Sequence, residues 1–188
     1  MKVFDTSISE VKVVEPNVFG DERGIFYESF HAKRYKELLG IDEHFVQDNF
    51  SRSNKGVLRG LHYQNQNPQG KLVSVLAGEV FDVAVDIRIG SPTFGKWVGI
   101  NLSAKNRRQL WIPKGFAHGF YVLSLEADFF YKCTNIYQKE SEICINYKDP
   151  QIAIDWPLNS DIHLSDKDKD APFVEHLIDK QLLPRYIK

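Results

Sequence analysis

The chain has 188 residues, of which 43% are hydrophobic and 13% aromatic, and its formal net charge is −1. This length and apolar content predict a single globular domain over residues 1–188, and they exclude an intrinsically disordered chain. The near-neutral charge predicts no nucleic-acid partner and no acidic membrane surface, so an anionic ligand must be held by local cations.

The N-terminal segment and the cysteines predict a cytoplasmic protein. Lys2, Asp5 and Glu10 interrupt the first residues, so no apolar signal-peptide core is present, and no apolar run approaches the length of a membrane span. Cys133 and Cys144 fit no zinc-binding spacing, and we expect two free thiols in a reducing compartment.

The first part of the chain predicts short strands. Alternating apolar residues over 1–19 indicate strands that break at Pro16, and a turn over 20–24 leads into a further strand. Period-two alternation in that strand places Phe26, Glu28 and Phe30 on one face.

A helix and a polar strand are predicted next. Residues 31–40 indicate a short helix, because Gly40 is a typical helix-stop residue. In the stretch that follows, alternation brings Phe45, Gln47 and Asn49 to one strand face.

Residues 56–64, GVLRGLHYQ, place cationic side chains in an otherwise apolar strand, and Lys71 opens the next one. Burying such groups is unfavourable unless partners or a ligand compensate, so we predict the floor of a site here. Arg59 and His62 are three positions apart, and a regular strand sends them to opposite faces. Both reach one cavity only if the strand bulges, and we expect the bulge at Gly60.

The second half predicts further strands and a C-terminal helix. Residues 71–88 indicate a hairpin that turns at Gly78, with Asp82 and Asp86 in structural salt bridges or in solvent. Residues 127–137 indicate one strand. Its predicted shared face carries Phe129, Tyr131, Cys133, Asn135 and Tyr137.

The C-terminal helix is expected to be capped by Asp170 and to have Pro172 in its first turn. Its buried stripe would comprise Phe173, Leu177 and Ile178. Many short strands with Gly and Pro turns, and few helices, predict a mainly β sandwich or barrel.

The sequence predicts no metal site. Residues 113–118, PKGFAH, resemble the second motif of metal-binding cupins, in which His118 would be a ligand. The first motif requires a His-x-His pair, and this chain has only His62 there, followed by Tyr63 and Gln64. Two histidines without a reliable third ligand form a poor site for zinc or iron.

Taken together, the motifs FGDERGIFYESF, FVQDN, GVLRGLHYQ, QGKLV, GEVFDVAVDIR, SPTFGKW, QLWIPKGFAHGF and YKCTNIY resemble those of the dTDP-4-dehydrorhamnose 3,5-epimerase family. The resemblance extends over residues 1 to about 175, and the spacing between the motifs also fits. It implies a cupin-like jelly roll with a few short peripheral helices and a C-terminal helix. It also implies a homodimer that binds a dTDP-sugar substrate and uses neither metal nor organic cofactor.

The resemblance implies roles for four catalytic residues. His62 matches the base that removes the hydrogens flanking the C4 ketone, and Asp168 matches the carboxylate that orients it. Lys71 matches the cation beside the ketone oxygen. Tyr131 matches the acid that returns a proton to the opposite face, which inversion at C3 and C5 of dTDP-4-dehydro-6-deoxy-D-glucose requires.

The resemblance also implies a substrate-binding set. Arg23, Arg59 and Lys167 match diphosphate ligands, Tyr137 matches the residue that stacks on thymine, and Phe26 matches one that reaches the nucleotide from the partner subunit. The other matching positions are Glu28, Gln47, Asp48, Asn49, His118 and Glu142. Ile136 departs from a second tyrosine that is common at its position.

Four alternatives stay open at this point. A mono-epimerase acts at one carbon only, and loss of the Tyr131 position would favour it. A 3,4-ketoisomerase moves the carbonyl without net inversion. A non-catalytic sugar-nucleotide-binding cupin would not need His62, Asp168, Lys71 and Tyr131 together. A metal-dependent oxygenase conflicts with the poor ligand count.

Overall fold

Two antiparallel sheets packed face to face form the body of the protein, in a computed structural model that describes residues 1–41 and 43–187. In spatial order, the six-stranded sheet consists of β1 (Lys2–Asp5), β2 (Lys12–Glu15), β10 (Gln109–Ile112), β7 (Lys71–Ala77), β12 (Glu126–Cys133) and β5 (Gln47–Asn54). The five-stranded sheet consists of β13 (Glu142–Cys144), β6 (Leu58–Gln64), β11 (Phe116–Val122), β8 (Glu79–Asp86) and β9 (Trp97–Ser103). A separate hairpin is formed by β3 (Val18–Asp21) and β4 (Gly24–Tyr27).

The chain alternates between the two sheets. From β5 to β13, each connection crosses from one sheet to the other, except the one between β8 and β9. Such interleaving of two antiparallel sheets is the jelly-roll arrangement, so the predicted mainly β, cupin-like fold class is confirmed.

The predicted hairpin over 71–88 is wrong in its pairing, although both of its strands exist. β7 pairs with β10 and β12, whereas β8 pairs with β11 and β9. The chain changes sheets at Gly78, which has φ +75°, and a Cβ there would lie 2.0 Å from the Glu126 carbonyl oxygen. A glycine between two apolar strands indicates a turn, but it does not say which partner each strand will take.

Apolar side chains from both sheets meet in the main core. Val73 and Val75 of β7 and Phe129 of β12 pack against Val80 of β8 and Phe120 of β11. Because inward and outward side chains alternate along a strand, each strand contributes every second residue to this layer.

The outer face of the five-stranded sheet is covered by the C-terminal part of the chain. Trp156, Val174 and Leu177 pack on residues such as Tyr63 and Tyr121. All seven residues of β11 are consequently buried. A strand covered on both faces has a nearly continuous apolar sequence, which explains why this region shows little alternation.

Three short helices lie around the sheets. α1 (Ala32–Leu39) is the helix predicted over 31–40, and it ends at Gly40 in the left-handed conformation, with φ 67°. It packs through Tyr35 on the outer face of the six-stranded sheet. The other two are α2 (Asp166–Lys169) and α3 (Val174–Asp179), and a 3-10 turn spans Lys139–Ser141.

The predicted caps of the C-terminal helix are wrong. Asp170 ends α2, and α3 begins after Phe173, whose side chain makes no capping hydrogen bond. The Val174 backbone N–H donates instead to Asp149 Oδ2, at 2.6 Å, so a distant residue supplies the cap. Phe173 and Ile178 are exposed, and the buried residues of α3 are Val174 and Leu177.

Two strands are shorter than the alternation predicts. β4 ends at Tyr27, so Glu28 and Phe30 lie beyond it, and β12 ends at Cys133, so Tyr137 lies beyond that strand. The predicted break at Pro16, between β2 and β3, is confirmed. Cys133 and Cys144 are both free thiols. Within the described residues, no helix is long and apolar enough to cross a membrane.

Candidate active site

A cavity of about 310 Å³ opens between the two sheets. β6 contributes Arg59 and His62, β7 contributes Lys71, and β12 contributes Tyr131. Its other lining residues are Gln47, Asn49, Ser51, Gln69, His118, Phe120, Phe129, Tyr137, Glu142 and Lys167. The cavity therefore collects cationic, phenolic and imidazole groups in the interior of a β protein.

His62 and Asp168 form a dyad at the cavity wall. His62 Nε2 lies 2.6 Å from Asp168 Oδ1, and the Asp168 side chain is 2% exposed while that of His62 is 21% exposed. Burial acts to raise the pKa of Asp168, but the hydrogen bond and the charge of His62 outweigh it, so the pKa lies below its ordinary value. The ionised carboxylate accepts the Nε2 proton, which leaves Nδ1 as the free basic nitrogen.

Helix α2 holds Asp168 in place. Ser165 caps this helix, because its Oγ accepts a hydrogen bond from the Asp168 backbone N–H. The same hydroxyl donates to Asp168 Oδ2, at 2.8 Å. Both carboxylate oxygens are thus fixed, one by the cap and one by His62.

A bulge in β6 brings Arg59 and His62 to the same cavity. His62 lies opposite His118 of β11, and Arg59 lies opposite Phe120, so β6 has one more residue than β11 between the two pairs. Gly60 has φ +126°, and a Cβ there would lie 2.5 Å from the Gly119 Cα. The expected bulge at Gly60 is therefore confirmed, and only glycine fits there.

Lys71 and Tyr131 approach the cavity from the six-stranded sheet. Burial lowers the pKa of Lys71, although the charges of Glu142 and Asp82 oppose the shift. Burial raises the pKa of Tyr131 to about 12, so the phenol carries its proton at neutral pH. The site thus offers an amine and a phenolic proton donor beside His62.

His118 belongs to a second, fully buried pair. Its Nε2 lies 2.9 Å from Asp82 Oδ2, and its ring stacks on Phe129 at 5.9 Å. Burial lowers the pKa of His118 despite the neighbouring carboxylate. The sequence predicted structural salt bridges or solvent for Asp82 and Asp86. Both are buried and paired, Asp82 with His118 and Asp86 with Arg88. Among the residues that the structure describes, His118 joins no group of three metal-binding side chains.

Charged and aromatic residues form the rim of the cavity. Glu142 Oε2 accepts hydrogen bonds from Lys167 Nζ, at 2.5 Å, and from the Tyr137 hydroxyl, at 3.2 Å. Burial acts to raise the pKa of Glu142, but Lys167 and His62 outweigh it and the pKa is lowered. Gln47 accepts a hydrogen bond from the Tyr137 backbone N–H, at 2.8 Å. The rim is therefore preorganised around Tyr137.

Comparison with known proteins gives the family. The family model described as dTDP-4-dehydrorhamnose 3,5-epimerase matches residues 5–176. The chain belongs to this family. It is 61% identical over 169 residues to the dTDP-4-dehydrorhamnose 3,5-epimerase of Shigella flexneri, covering 89% of this chain and 93% of that protein. It is 56% identical over 179 residues to the enzyme of the same name from Salmonella typhimurium strain LT2, covering 95% and 98%.

A solved structure of a family member is also close to this fold. It is a dTDP-6-deoxy-D-glucose-3,5-epimerase from Legionella pneumophila Philadelphia 1 in complex with dTDP-4-keto-L-rhamnose. The two chains are 68% identical, with a TM-score of 0.97 and coverage of 100% of this chain and 99% of that one. The near-complete overlap places the family's whole fold within this chain.

Four of the residues matched to the family's sites lie away from this cavity. Asp48 is exposed on the opposite face of β5 from Gln47 and Asn49, and it pairs with Lys132 Nζ at 2.8 Å. Successive residues of a strand point to opposite faces, so Asp48 does not line the cavity that Gln47 and Asn49 reach. Arg23, Phe26 and Glu28 belong to the β3–β4 hairpin region.

The β3–β4 region makes its own local contacts. Arg23 pairs with Asp21, and Glu28 pairs with Arg34, both at exposed positions. Phe26 is 72% exposed. Within a single chain, these three side chains do not join the groups around His62.

Sequence reasoning missed four lining residues: Ser51, Gln69, Phe120 and Phe129. Ser51 continues the Gln47–Asn49 alternation, and Phe129 precedes Tyr131 by two residues on one strand face, so period two was a usable signal for both. Gln69 carries no such signal, because it lies in a loop next to Gly70. Phe120 is apolar in an apolar strand, which gives no reason to expect it in a cavity.

Proposed function

We propose that the chain is an isomerase that inverts C3 and C5 of dTDP-4-dehydro-6-deoxy-D-glucose to give dTDP-4-dehydro-L-rhamnose, a step toward dTDP-L-rhamnose. The observation that carries this proposal is the His62–Asp168 dyad in a cavity shared with Lys71 and Tyr131, in a chain of this family. The proposed reaction needs no cofactor, since every group that it uses is a side chain.

Proton abstraction by His62 is the first proposed step. Hydrogens at C3 and C5 flank the C4 ketone, so loss of either as a proton leaves an enolate with its charge on the C4 oxygen. His62 Nδ1 takes this proton, because Nε2 is engaged with Asp168 at 2.6 Å. Asp168 fixes the tautomer and stabilises the imidazolium that forms.

Lys71 is proposed to stabilise the enolate. A cation held beside the developing oxyanion, in a site sheltered from water, contributes about 3 kcal/mol by analogy with oxyanion-hole donors. Among the described residues, none makes a hydrogen bond or ion pair with the Lys71 ammonium, which supports its availability to a ligand oxygen.

Tyr131 is proposed to complete each inversion. Its phenol gives a proton to the carbon on the face opposite His62, and the enolate electrons form the new C–H bond as the ketone is restored. The location of the two residues supports this division, because Tyr131 lies on β12 of one sheet and His62 on β6 of the other. A water molecule then reprotonates the phenolate, and His62 returns its proton to solvent.

The remaining cavity residues are proposed to bind the nucleotide. Arg59 and Lys167 would hold the diphosphate, because guanidinium and ammonium groups are suited to phosphate oxygens. Tyr137, 44% exposed at the rim, would stack on thymine. Gln47, Asn49, His118 and Glu142 would supply hydrogen bonds to the base and sugars.

We also propose a homodimer in which the β3–β4 hairpin of one subunit completes the site of the other. Its exposed apolar side chains support this arrangement, since Val18, Phe19, Ile25 and Phe26 are all at least 40% exposed and close together. Arg23, Phe26 and Glu28 would then act in the partner's cavity. Residues 1–188 as one domain, a cytoplasmic location and the lack of nucleic-acid or membrane partners stay predictions.

Proton NMR of dTDP-4-dehydro-6-deoxy-D-glucose with the protein in D₂O tests the proposed activity. Deuterium at both C3 and C5, with inversion, is the expected result. Exchange at one carbon would indicate a mono-epimerase, and a displaced carbonyl would indicate a ketoisomerase. Tight binding without exchange would leave a binding module and overturn the proposal.

A further inference from the structure

A thiol lies next to the His62–Asp168 dyad and has no role in the proposed reaction. Cys144 of β13 is paired in register with His62 of β6, so the two side chains are cross-strand neighbours. One ligand atom each from His62, Cys144 and Asp168 can be chosen so that all three lie within 4.8 Å of one another. Among the described residues, this is the one group of three or more side chains able to hold a metal ion.

The three donors are of the kinds that zinc prefers. An imidazole nitrogen, a thiolate sulfur and a carboxylate oxygen bind Zn²⁺ at about 2.0–2.3 Å, which separates neighbouring ligand atoms by roughly 3.5 Å in a tetrahedral site. To hold the ion, the group must widen the 2.6 Å contact between His62 and Asp168.

The surroundings already orient one of the donors, Asp168. Ser165 Oγ donates to Asp168 Oδ2, at 2.8 Å, and leaves Oδ1 directed at His62. Such outer hydrogen bonds commonly hold the ligands of metal sites in position. Glu142 lies on the other side of the ring, with Oε1 3.9 Å from His62 Nδ1, and is not part of the set.

We propose that His62, Cys144 and Asp168 form an inhibitory site for one thiophilic divalent cation, with Zn²⁺ as its typical occupant. The metal takes the place of the proton between His62 Nε2 and Asp168 Oδ1, that proton moves to Nδ1, and the Cys144 thiol proton is released to solvent, so the ion is held by neutral imidazole, thiolate and carboxylate. No oxidation or reduction takes place.

Inhibition follows from the proposed function, on which this part of the inference rests. With the metal on Nε2, Nδ1 carries the imidazole proton and can no longer accept one from the substrate, and Asp168 is no longer free to stabilise an imidazolium. Hard cations such as Mg²⁺ have no comparable effect, because they prefer oxygen ligands in octahedral sites.

Two measurements on the intact protein test the site, and the first does not depend on activity. Titration with Co²⁺, a spectroscopic substitute for Zn²⁺, is expected to give a thiolate-to-cobalt charge-transfer band at one equivalent, and Zn²⁺ is expected to abolish the band. The second measurement is turnover, which we expect one equivalent of Zn²⁺ to lower at least about tenfold and a chelator to restore.

Cys144→Ser and Cys133→Ser form the matched pair of variants. Cys144→Ser should lose the cobalt band and raise the half-inhibitory Zn²⁺ concentration at least about tenfold relative to its own metal-free activity. Cys133→Ser, which removes the other thiol, should keep both properties.

The outcomes separate this inference from the proposed function. Loss of the band in Cys133→Ser rather than Cys144→Ser, or the absence of any band, would overturn the metal site even if the enzyme is active. Equal Zn²⁺ inhibition of wild type and Cys144→Ser would overturn it as well. A cobalt band in a protein that shows no exchange in D₂O would leave the site and remove the proposed function.

Discussion

His62 Nε2 and Asp168 Oδ1 lie 2.6 Å apart although the residues are separated by 106 positions in the chain. His62 comes from a strand in the middle of the jelly roll, and Asp168 comes from a four-residue helix that reaches the sheet late in the sequence. The tertiary fold therefore brings His62 and Asp168 together, and the role of each residue can be tested separately.

Replacement of Asp168 by asparagine tests the tautomer. An Asn side chain can donate its amide N–H to Nε2, which moves the imidazole proton to Nδ1 and removes the free base. By analogy with the same change in a serine-protease triad, kcat should fall about 10⁴-fold. Steady-state kinetics with a melting curve as control checks this, and a kcat within tenfold of wild type would contradict the assignment.

Replacement of His62 by alanine should separate chemistry from binding. We expect His62→Ala to abolish turnover and to leave the affinity for dTDP largely intact, because the nucleotide is proposed to contact the rim. Calorimetry with dTDP measures this. Tyr137→Ala is the matched control, and it should bind dTDP at least about tenfold more weakly through loss of stacking. Equal loss of affinity in both variants would reject His62 as the base.

Replacement of Tyr131 by phenylalanine should uncouple exchange from inversion. His62 would still remove a proton and return a deuteron to the same face, whereas the opposite face would have no acid. NMR in D₂O is therefore expected to show deuterium at the flanking carbons with retained configuration. Inversion at an undiminished rate would show that another group, or water, is the acid.

Lys71 is expected to lower the stability of the fold while it supports activity. Because burial lowers its pKa, the charged form opposes folding, and this destabilisation is fully present at pH values below the lowered pKa. Lys71→Met should abolish turnover yet raise the free energy of unfolding by about 1 kcal/mol. The difference should shrink as the pH rises through the lowered pKa toward the ordinary value of 10.5. Denaturant unfolding at pH 7 and above pH 10 checks the sign.

In the wild-type protein, the lowered pKa of Lys71 predicts that kcat declines at alkaline pH. The cation at Lys71 should be lost at a lower pH than for an exposed lysine, and kcat should decline with it. An unchanged kcat up to the ordinary lysine range would contradict the role of Lys71 as the charge beside the enolate.

Mixing variants tests the proposed exchange of the β3–β4 hairpin between subunits. Arg23→Ala and His62→Ala each impair their own homodimer, but a mixed dimer contains one site with both Arg23 and His62. Refolding the two together should restore roughly a quarter of wild-type activity at low substrate concentration, for random pairing in a symmetric dimer. Activity no greater than that of the separate variants would place Arg23 in its own subunit's function or in none.

Much of the fold could be predicted because its signals are local. Gly40 ends α1 as expected, and the bulge at Gly60 follows from the need to bring Arg59 and His62 together. Alternation also placed Gln47 and Asn49 on one face, and the same rule, applied to Asp48, would have removed it from the cavity.

The wrong predictions concern features that a local sequence pattern does not determine. The pairing of β7 and β8 depends on which sheet each strand joins, and the cap of α3 comes from Asp149, 25 positions away. The ends of β4 and β12 were missed because alternation continues into loops that have no pairing partner. The roles of the site residues came from resemblance, since neither Tyr131 nor His118 differs locally from a core residue.

The placement of Asp168 on α2 has a consequence for protein synthesis. A ribosome synthesises the strands that form the cavity before it reaches residues 166–169. Until the last portion of the chain has docked on the five-stranded sheet, the imidazole of His62 lacks its carboxylate. A product terminated before residue 166 would therefore lack both the carboxylate that the proposed base requires and Lys167 of the rim.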